Sequence, residues 1–238
     1  YDLEYIDYFA KKMSITKIGS GDITWLDSLR AISNSKTYVF LSTGASSMDD
    51  VKRALEVLQS ALKPIVLMQC NTNYTGDPKN VEHLNLKVLE TYSREFPDVI
   101  TGLSDHTPGH LVPVIATTLG ARVIEKHFIL SHEIGGPDAA FSLDEKEFTQ
   151  LVNEVRLTEQ ALGNSSYNLS PKQEAGRIFS RSLYPTQFIT KGSIISDGMI
   201  KSVRPGYSLN PMHLGDIIGK TVKRDLSLGA RITLDDFE

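Results

Sequence analysis

The chain has 238 residues, of which 40% are hydrophobic and 23% are charged, and its formal net charge is −4. This composition is typical of a globular protein with a sizeable core. The weakly acidic balance, without a cluster of lysines and arginines, argues against a nucleic-acid partner. No apolar run approaches the roughly 18 residues of a membrane-spanning helix, so we expect no membrane partner. Cys70 is the single cysteine, which excludes an intrachain disulfide and fits a reducing, cytoplasmic location.

Residues 1–13 are typical of an amphipathic helix, because Leu3, Ile6, Phe9 and Met13 recur at helical spacing. Five β-prone runs follow, at 16–22, 37–44, 64–72, 99–107 and 122–128. Helices are predicted between and after them, at 24–35, 47–61, 80–96, 108–121 and 144–163. Alternating strands and helices predict βαβ units and a parallel sheet.

Polar residues gather at the carboxyl end of all five runs, which favours an α/β barrel over a doubly wound sheet. A barrel of this type has eight strands, so three βα units are missing from the front. The abrupt start within a helix agrees with this count, and we expect that the chain is a fragment.

The sequence changes character near Asn164. A polar stretch rich in serine and asparagine predicts a linker at 164–177. Short β-like runs broken by glycine, proline and aspartate follow, at 181–189, 200–209, 217–226 and 230–234. We therefore predict a partial barrel domain over 1–163 and a small β domain over 178–238.

Two histidines end the last two predicted strands of the barrel. Ser104 and His106 should share one face of their strand, as should Glu125 and His127 on the next strand. Because neighbouring strands lie about 4.8 Å apart, the two histidines could bind one divalent ion. Two nitrogens are too few for a structural zinc site, so an open site for Mn²⁺, Mg²⁺ or Fe²⁺ fits better. The alternative is a pair of hydrogen-bonded core histidines.

The other strand ends are rich in hydrogen-bond donors. One ammonium and several hydroxyls are predicted to form a ring, contributed by Lys17, Ser20, Ser42, Thr43 and Ser104. Such a ring suits a phosphate or a carboxylate, whereas capping and turn roles are the alternative for any one hydroxyl. The neutral polar run 71–74 suits sugar hydroxyls or an acyl amide, and a glycine-rich loop presents Asp138.

These residues carry a family resemblance. The motifs KIGSGD, LSTG, QCNTNY, GLSDHTPG, GARVIEKHF and GPD…FS occur in the order seen in the sialic acid synthase family. RSLY and VRPGYSL resemble the antifreeze-like β-clip (SAF) domain that ends those enzymes. The resemblance implies an α/β fold: the C-terminal five βα units of a TIM-type (β/α)8 barrel, followed by a small β-clip domain.

The resemblance also implies a reaction. The family condenses phosphoenolpyruvate with an N-acylamino sugar, here of the N-acetylmannosamine type, to give an N-acetylneuraminate-type acid and phosphate. It uses a divalent metal, which would be Mn²⁺ with Mg²⁺ or Co²⁺ as alternatives. Carbon 3 of phosphoenolpyruvate would attack the sugar aldehyde, water would add at carbon 2, and C–O cleavage would release phosphate.

Site roles are carried over by motif. His106 and His127 resemble the metal ligands, and Asp138 and Lys17 join them as catalytic candidates. The residues that resemble the phosphoenolpyruvate binders are Lys17, Ser20, Ser42 and Ser104. Contacts to the acceptor sugar are expected from Asp22, Thr72, Tyr74 and Asp138. Arg204 resembles the arginine that the β-clip domain places over the partner's active site, which implies a domain-swapped homodimer.

Two departures from the family pattern matter. The family often has glutamate where this chain has Asp22, so the reach of this carboxylate to the sugar is shorter. The first three strands, which carry a glutamate near the metal and a further phosphoenolpyruvate-binding lysine, are missing. If the molecule begins at Tyr1, we expect little or no activity.

Three alternatives stay open at this point. One is a phosphoenolpyruvate-condensing barrel that acts on a sugar phosphate, and another is an inactive chain that only binds ligand. The third concerns the acceptor, because CNTNYTG and SDHTPGH resemble neuraminate and legionaminate synthases. IGGPDAAFSLD and RPGYSL resemble pseudaminate synthases instead.

Overall fold

A computed structural model of the chain describes residues 2–61 and 63–238. The chain divides into two compact units, the first ending at Asn164 and the second spanning Ser165–Glu238. Among the described residues, every helix is too short or too polar to span a lipid bilayer.

The first unit is built on a five-stranded parallel sheet whose strands follow one another in chain order. The strands are β1 (Ile15–Ile18), β2 (Tyr38–Ser42), β3 (Ile65–Cys70), β4 (Ile100–Asp105) and β5 (Val123–Lys126). In a flat sheet the two edge strands would lie roughly 19 Å apart, four spacings of about 4.8 Å. Lys17 on β1 nevertheless contacts Glu125 on β5, so the sheet curls into a half-barrel of the TIM type. The predicted barrel class is confirmed.

Helices pack against the outside of this half-barrel. They are α1 (Leu3–Ala10), α2 (Leu26–Ser33), α3 (Met48–Leu58), α4 (Val88–Glu95), α5 (Leu111–Thr118) and α6 (Glu145–Leu162). The core between helices and sheet is dominated by leucines with at most 1% exposure, among them Leu29, Leu41, Leu67, Leu89 and Leu103. Each such side chain contributes roughly 1.5–3 kcal/mol through burial.

One helix prediction needs correction. The segment predicted as one helix at 80–96 is a 3-10 helix over Pro78–His83 followed by α4. Asn85 between them has φ 46°, a conformation that no α-helix contains. The N-cap of α6 is Asp144, whose side chain accepts a hydrogen bond from the backbone N–H of Glu147.

The edge of the sheet beside β5 is partly covered just beyond the strand. Leu143 N–H donates to the carbonyl of His127 at 2.9 Å, and Ile129 N–H donates to the carbonyl of Leu143 at 3.0 Å. The chain entering α6 therefore runs alongside His127 and fixes its backbone.

The second unit has a small core of its own. A short helix, α7 (Pro171–Ala175), lies in the segment predicted as a linker, and Ser170 caps it. β6 (Ser182–Pro185) and β7 (Ile200–Val203) pair in antiparallel fashion, and α8 (Leu214–Ile217) follows. Of the four predicted β-like runs, these two strands fall in the first and second. The third run contributes only isolated bridges, such as Ile189 with Leu226.

Candidate active site

Three side chains meet on the concave face of the half-barrel. Lys17 Nζ lies 2.6 Å from Glu125 Oε1, and the Ser104 hydroxyl donates to the same oxygen at 2.7 Å. Ser104 and Glu125 are register partners in β4 and β5, so the sheet itself aligns them. Burial acts to raise the pKa of Glu125, but the hydrogen bonds from Lys17 and Ser104 outweigh it, and the pKa is lowered. The cluster is therefore an ionised carboxylate that holds an ammonium and a hydroxyl in place.

His106 is buried on the same concave face of the half-barrel, with 3% of its surface exposed. Its Nδ1 is 3.0 Å from the carbonyl of Asn71, which can only accept, so Nδ1 carries the proton and Nε2 keeps its lone pair. Burial and the neighbouring His127 both lower the pKa of His106. A neutral imidazole with a fixed tautomer is the form that binds a metal.

His127 stands beside it, as the sequence predicted. The two imidazole centroids are 5.1 Å apart. His127 Nδ1 lies 3.4 Å from Asp138 Oδ2, a contact with the carboxylate of the loop after β5. Metal-binding histidines commonly direct one ring nitrogen to a carbonyl or carboxylate and the other to the ion. The pair therefore fits a divalent metal, and Asn71 and Asp138 would orient the ligands.

Aromatic rings close one side of the histidine pair. Tyr74 lies 4.3 Å from the His106 ring and Phe141 lies 5.1 Å from the His127 ring, both between centroids. The two loops that carry them touch, since a Cβ at Gly76 would lie 2.5 Å from the Cβ of Ala140. The sequence prediction included Tyr74 but missed Phe141, whose full burial in a loop is not visible in a hydropathy pattern.

An asparagine network holds the Tyr74 loop. Asn71 donates to the Asn80 side chain at 3.1 Å, and Asn80 donates to the carbonyl of Asn73 at 2.8 Å. Asn80 is 2% exposed. Sequence reasoning assigned it to a helix and so missed this role.

The serine and threonine side chains predicted to form one ring of donors do not all point to the same place. At Gly44, with φ 51°, an added Cβ would lie 2.2 Å from the Cβ of Ser20 and 2.7 Å from Cγ2 of Thr72, so three strand ends converge there. The Ser42 hydroxyl is buried and has no hydrogen-bond partner among the described residues. Thr43 instead donates to the carbonyl of Met68, away from this group.

The outer face of β4 and β5 carries a second charge pair that the sequence reasoning missed. Lys126 Nζ lies 2.6 Å from Asp105 Oδ2, and both side chains are fully buried. Burial lowers the pKa of Lys126, and Asp105 acts in the opposite direction. The alternation of side chains along a strand could have predicted this pair, because Asp105 and Lys126 must face away from Ser104 and Glu125.

One further group of side chains that could bind a metal lies away from the concave face of the half-barrel. Ligand atoms of His132, Asp144 and Glu147 fall within 4.8 Å of one another. Glu147 accepts hydrogen bonds from His132 and from the backbone of Asp144. We interpret this group as the cap of α6, tied to the preceding loop.

Asp22 and Arg204 are the remaining predicted site residues. Asp22 ends the 3-10 helix over Ser20–Asp22 and lines, with Lys17, a cavity beside α1. Arg204 belongs to the second unit, where it follows β7 and is exposed. The roles of both residues stay predictions.

Comparison with known proteins resolves the family. The family model described as the NeuB family matches residues 1–167, and the SAF domain matches residues 180–238. The chain belongs to the NeuB family. The resemblance expected from the motifs is thereby confirmed.

Similar proteins include synthases of pseudaminic and legionaminic acids. The chain is 37% identical over 223 residues to a pseudaminic acid synthase of Campylobacter jejuni, covering 93% of the chain and 64% of the relative. It is 31% identical to an N,N'-diacetyllegionaminic acid synthase of Legionella pneumophila, covering 100% of the chain and 68% of the relative. The chain thus spans about two thirds of the length of these relatives.

A solved structure supports the same placement. The N-acetylneuraminic acid (sialic acid) synthetase of Leptospira borgpetersenii, in complex with citrate, is similar with a TM-score of 0.68 and 27% identity. The similarity covers 74% of this chain and 61% of that chain.

Proposed function

We propose that the protein is a nonulosonic acid synthase, which condenses phosphoenolpyruvate with an N-acylamino sugar and releases phosphate. The observation that carries this proposal is the concave face of a NeuB-family half-barrel. There, two histidines with oriented rings lie near a lysine and two serine hydroxyls at the carboxyl ends of neighbouring strands. This is the edge of a TIM-type barrel at which active sites form.

His106 and His127 would hold the metal. Their donor chemistry fits a divalent ion that keeps other positions open, with Mn²⁺ as first choice and Mg²⁺ or Co²⁺ as alternatives. When bound, the ion would supply a Lewis acid for the aldehyde oxygen of the acceptor sugar. Asn71 and Asp138 would keep both imidazoles oriented through their Nδ1 atoms.

Lys17 and the hydroxyls of Ser20, Ser42 and Ser104 would bind the phosphate and carboxylate of phosphoenolpyruvate. Glu125 already fixes the Lys17 ammonium over the concave face, so little reorganisation is needed when the substrate enters. The buried Ser42 hydroxyl gains a partner in the bound state. Donors fixed in this way contribute to rate through orientation and electrostatics.

The acceptor sugar would lie beside the histidine pair. Tyr74 and Asp138 flank it, and Thr72 and Asp22 are the further candidates for its hydroxyl groups. Asp138 is also the candidate for proton transfer. Our sequence-based proposal is an N-acetylmannosamine-type acceptor. The 37% identity to a pseudaminic acid synthase supports a pseudaminate precursor as the second candidate.

A homodimer is proposed for the working enzyme. The SAF match over residues 180–238 supports an antifreeze-like unit that would place Arg204 over the site of the partner subunit. Cross-linking followed by mass analysis tests the assembly. Arg204→Ala tests the role: both KM for the sugar and kcat should change if the arginine closes the partner's site.

The decisive experiment is a product assay. The full-length enzyme, with the three N-terminal βα units that the family resemblance implies, is incubated with phosphoenolpyruvate, Mn²⁺ and a panel of acylamino sugars, and phosphate release and product mass are measured. We expect a nine-carbon acid with one sugar of the panel, and none with the His106→Ala/His127→Ala variant. Turnover with a sugar phosphate alone would identify a different phosphoenolpyruvate-condensing enzyme. Binding of phosphoenolpyruvate without turnover would favour the ligand-binding alternative.

A further inference from the structure

The buried pair between Lys126 and Asp105 lies directly behind the histidine site. The two residues are register partners on β5 and β4, and they alternate with Glu125 and Ser104 of the concave face. Their side chains are fully buried, and the ammonium lies 2.6 Å from the carboxylate.

The Lys126 ammonium contacts the residues on both sides of His106, Asp105 and Thr107. Besides Asp105 Oδ2, it contacts the carbonyl of Thr107. Thr107 in turn donates from its N–H and its hydroxyl to Asp105 Oδ1, at 3.0 and 2.8 Å. The residues immediately before and after His106 are thus tied to one side chain, and that side chain immediately precedes His127.

Stability alone gives no reason for this arrangement. Two buried charges lose much hydration, and well-packed apolar residues in their place are often equally stable or more so. What the pair does supply is a fixed register between two strands. A slip of one residue would turn His127 to the outer face, and among the described residues β4 is the only strand that pairs with β5.

We propose that Lys126 and Asp105 are positioning residues, which hold His106 and His127 at the separation that one divalent metal requires. The inference rests on the proposed metal site. It adds that the geometry of the site is set from the outer face of the strands by residues that touch neither metal nor substrate.

The test compares Mn²⁺ affinity, measured by calorimetry, with stability in three variants. Asp105→Leu/Lys126→Met removes both charges together, so that no unpaired charge stays buried. Asp105→Asn/Lys126→Gln keeps polar groups at both positions if the apolar pair fails to fold. Leu58→Ala empties a fully buried position on α3 and is the control, because it costs roughly 2–5 kcal/mol away from the site.

We expect a double variant that folds to bind Mn²⁺ about 10- to 100-fold more weakly than wild type, whereas Leu58→Ala keeps wild-type affinity. Wild-type affinity in a folded double variant overturns the inference, as does failure of both double variants to fold. A separate variant tests the proposed metal site on which the inference rests. If His106→Ala/His127→Ala binds Mn²⁺ with wild-type affinity, the metal site itself is wrong.

Discussion

Two lysine–carboxylate pairs of the same length lie on opposite faces of the strands around β5. Lys17 and Glu125 meet on the concave face at 2.6 Å, with 29% and 36% of their side chains exposed. Lys126 and Asp105 meet on the outer face, also at 2.6 Å, with none of either side chain exposed. The two pairs have the same N–O distance but differ in solvent exposure, so the distance alone does not reveal the role of either ion pair.

The exposed pair can exchange partners, since water can replace either member and an anionic ligand can replace the carboxylate at modest cost. The buried pair cannot, because loss of one member leaves a buried charge without a counter-ion. We infer a division of labour in which the concave pair presents charge to substrate and the outer pair fixes the scaffold. The first two predictions below each change one of these pairs, and the third adds an ion pair of the second unit for comparison.

Asp105→Leu should have the largest effect. It leaves the Lys126 ammonium buried without its counter-ion, so we expect a loss of about 3–5 kcal/mol in the free energy of unfolding of the first unit. Trp25 is the only tryptophan and lies in that unit, so denaturant unfolding followed by its fluorescence reports the change. A loss below about 1 kcal/mol would mean that the buried pair behaves like a surface pair.

Lys17→Met should separate binding from stability. Glu125 stays partly hydrated and keeps Ser104, so the free energy of unfolding should change by less than about 1 kcal/mol. Phosphoenolpyruvate affinity should fall by at least about tenfold, because a charge-assisted hydrogen bond is lost. Lys52→Met removes an exposed lysine on α3 and serves as the matched control in the binding titration. Equal affinities for the two variants would remove Lys17 from the substrate site.

Asp236→Asn should have the smallest effect and adds a reference in the second unit, where Asp236 is half-buried and its partner Arg224 is exposed. The hydrogen bond from Arg224 lowers the pKa of Asp236 below its ordinary value of 3.8. A carboxyl whose pKa is lowered by folding stabilises above its unfolded pKa, and this contribution is lost as pH falls through the folded pKa. We expect a cost under about 1 kcal/mol near neutral pH that shrinks in acid.

Amide hydrogen exchange of second-unit peptides, at neutral and acidic pH, measures this difference between wild type and Asp236→Asn. A cost that grows on acidification has the wrong sign and would contradict the assignment.

The fold was largely predictable because its signals are local. Five apolar runs that end in polar residues predict five parallel strands, and the structure contains them in chain order. Errors arose where a single dihedral angle decides the outcome. Asn85 breaks the helix predicted at 80–96, and its tolerance of positive φ is a preference that the local pattern did not reveal.

The pairings within the candidate site could not be predicted from the residue types, apart from the two histidines. Two histidines after adjacent strands had to be neighbours, and their ring centroids are 5.1 Å apart. The contact between Lys17 on β1 and Glu125 on β5 depends on how strongly the sheet curls. The sequence does not reveal this curvature. The Asn80 network depends on the path of a loop, and loop paths follow from tertiary packing.

One measurement tests the central claim, that the histidine pair and the phosphate-binding donors form a single site. Phosphoenolpyruvate is titrated onto the protein with Mn²⁺ present, and broadening of its ³¹P resonance by the paramagnetic ion is recorded. Wild type should broaden the signal of the bound ligand strongly. His106→Ala/His127→Ala should bind phosphoenolpyruvate without that broadening. Equal broadening in the two proteins would place the metal elsewhere and contradict the claim.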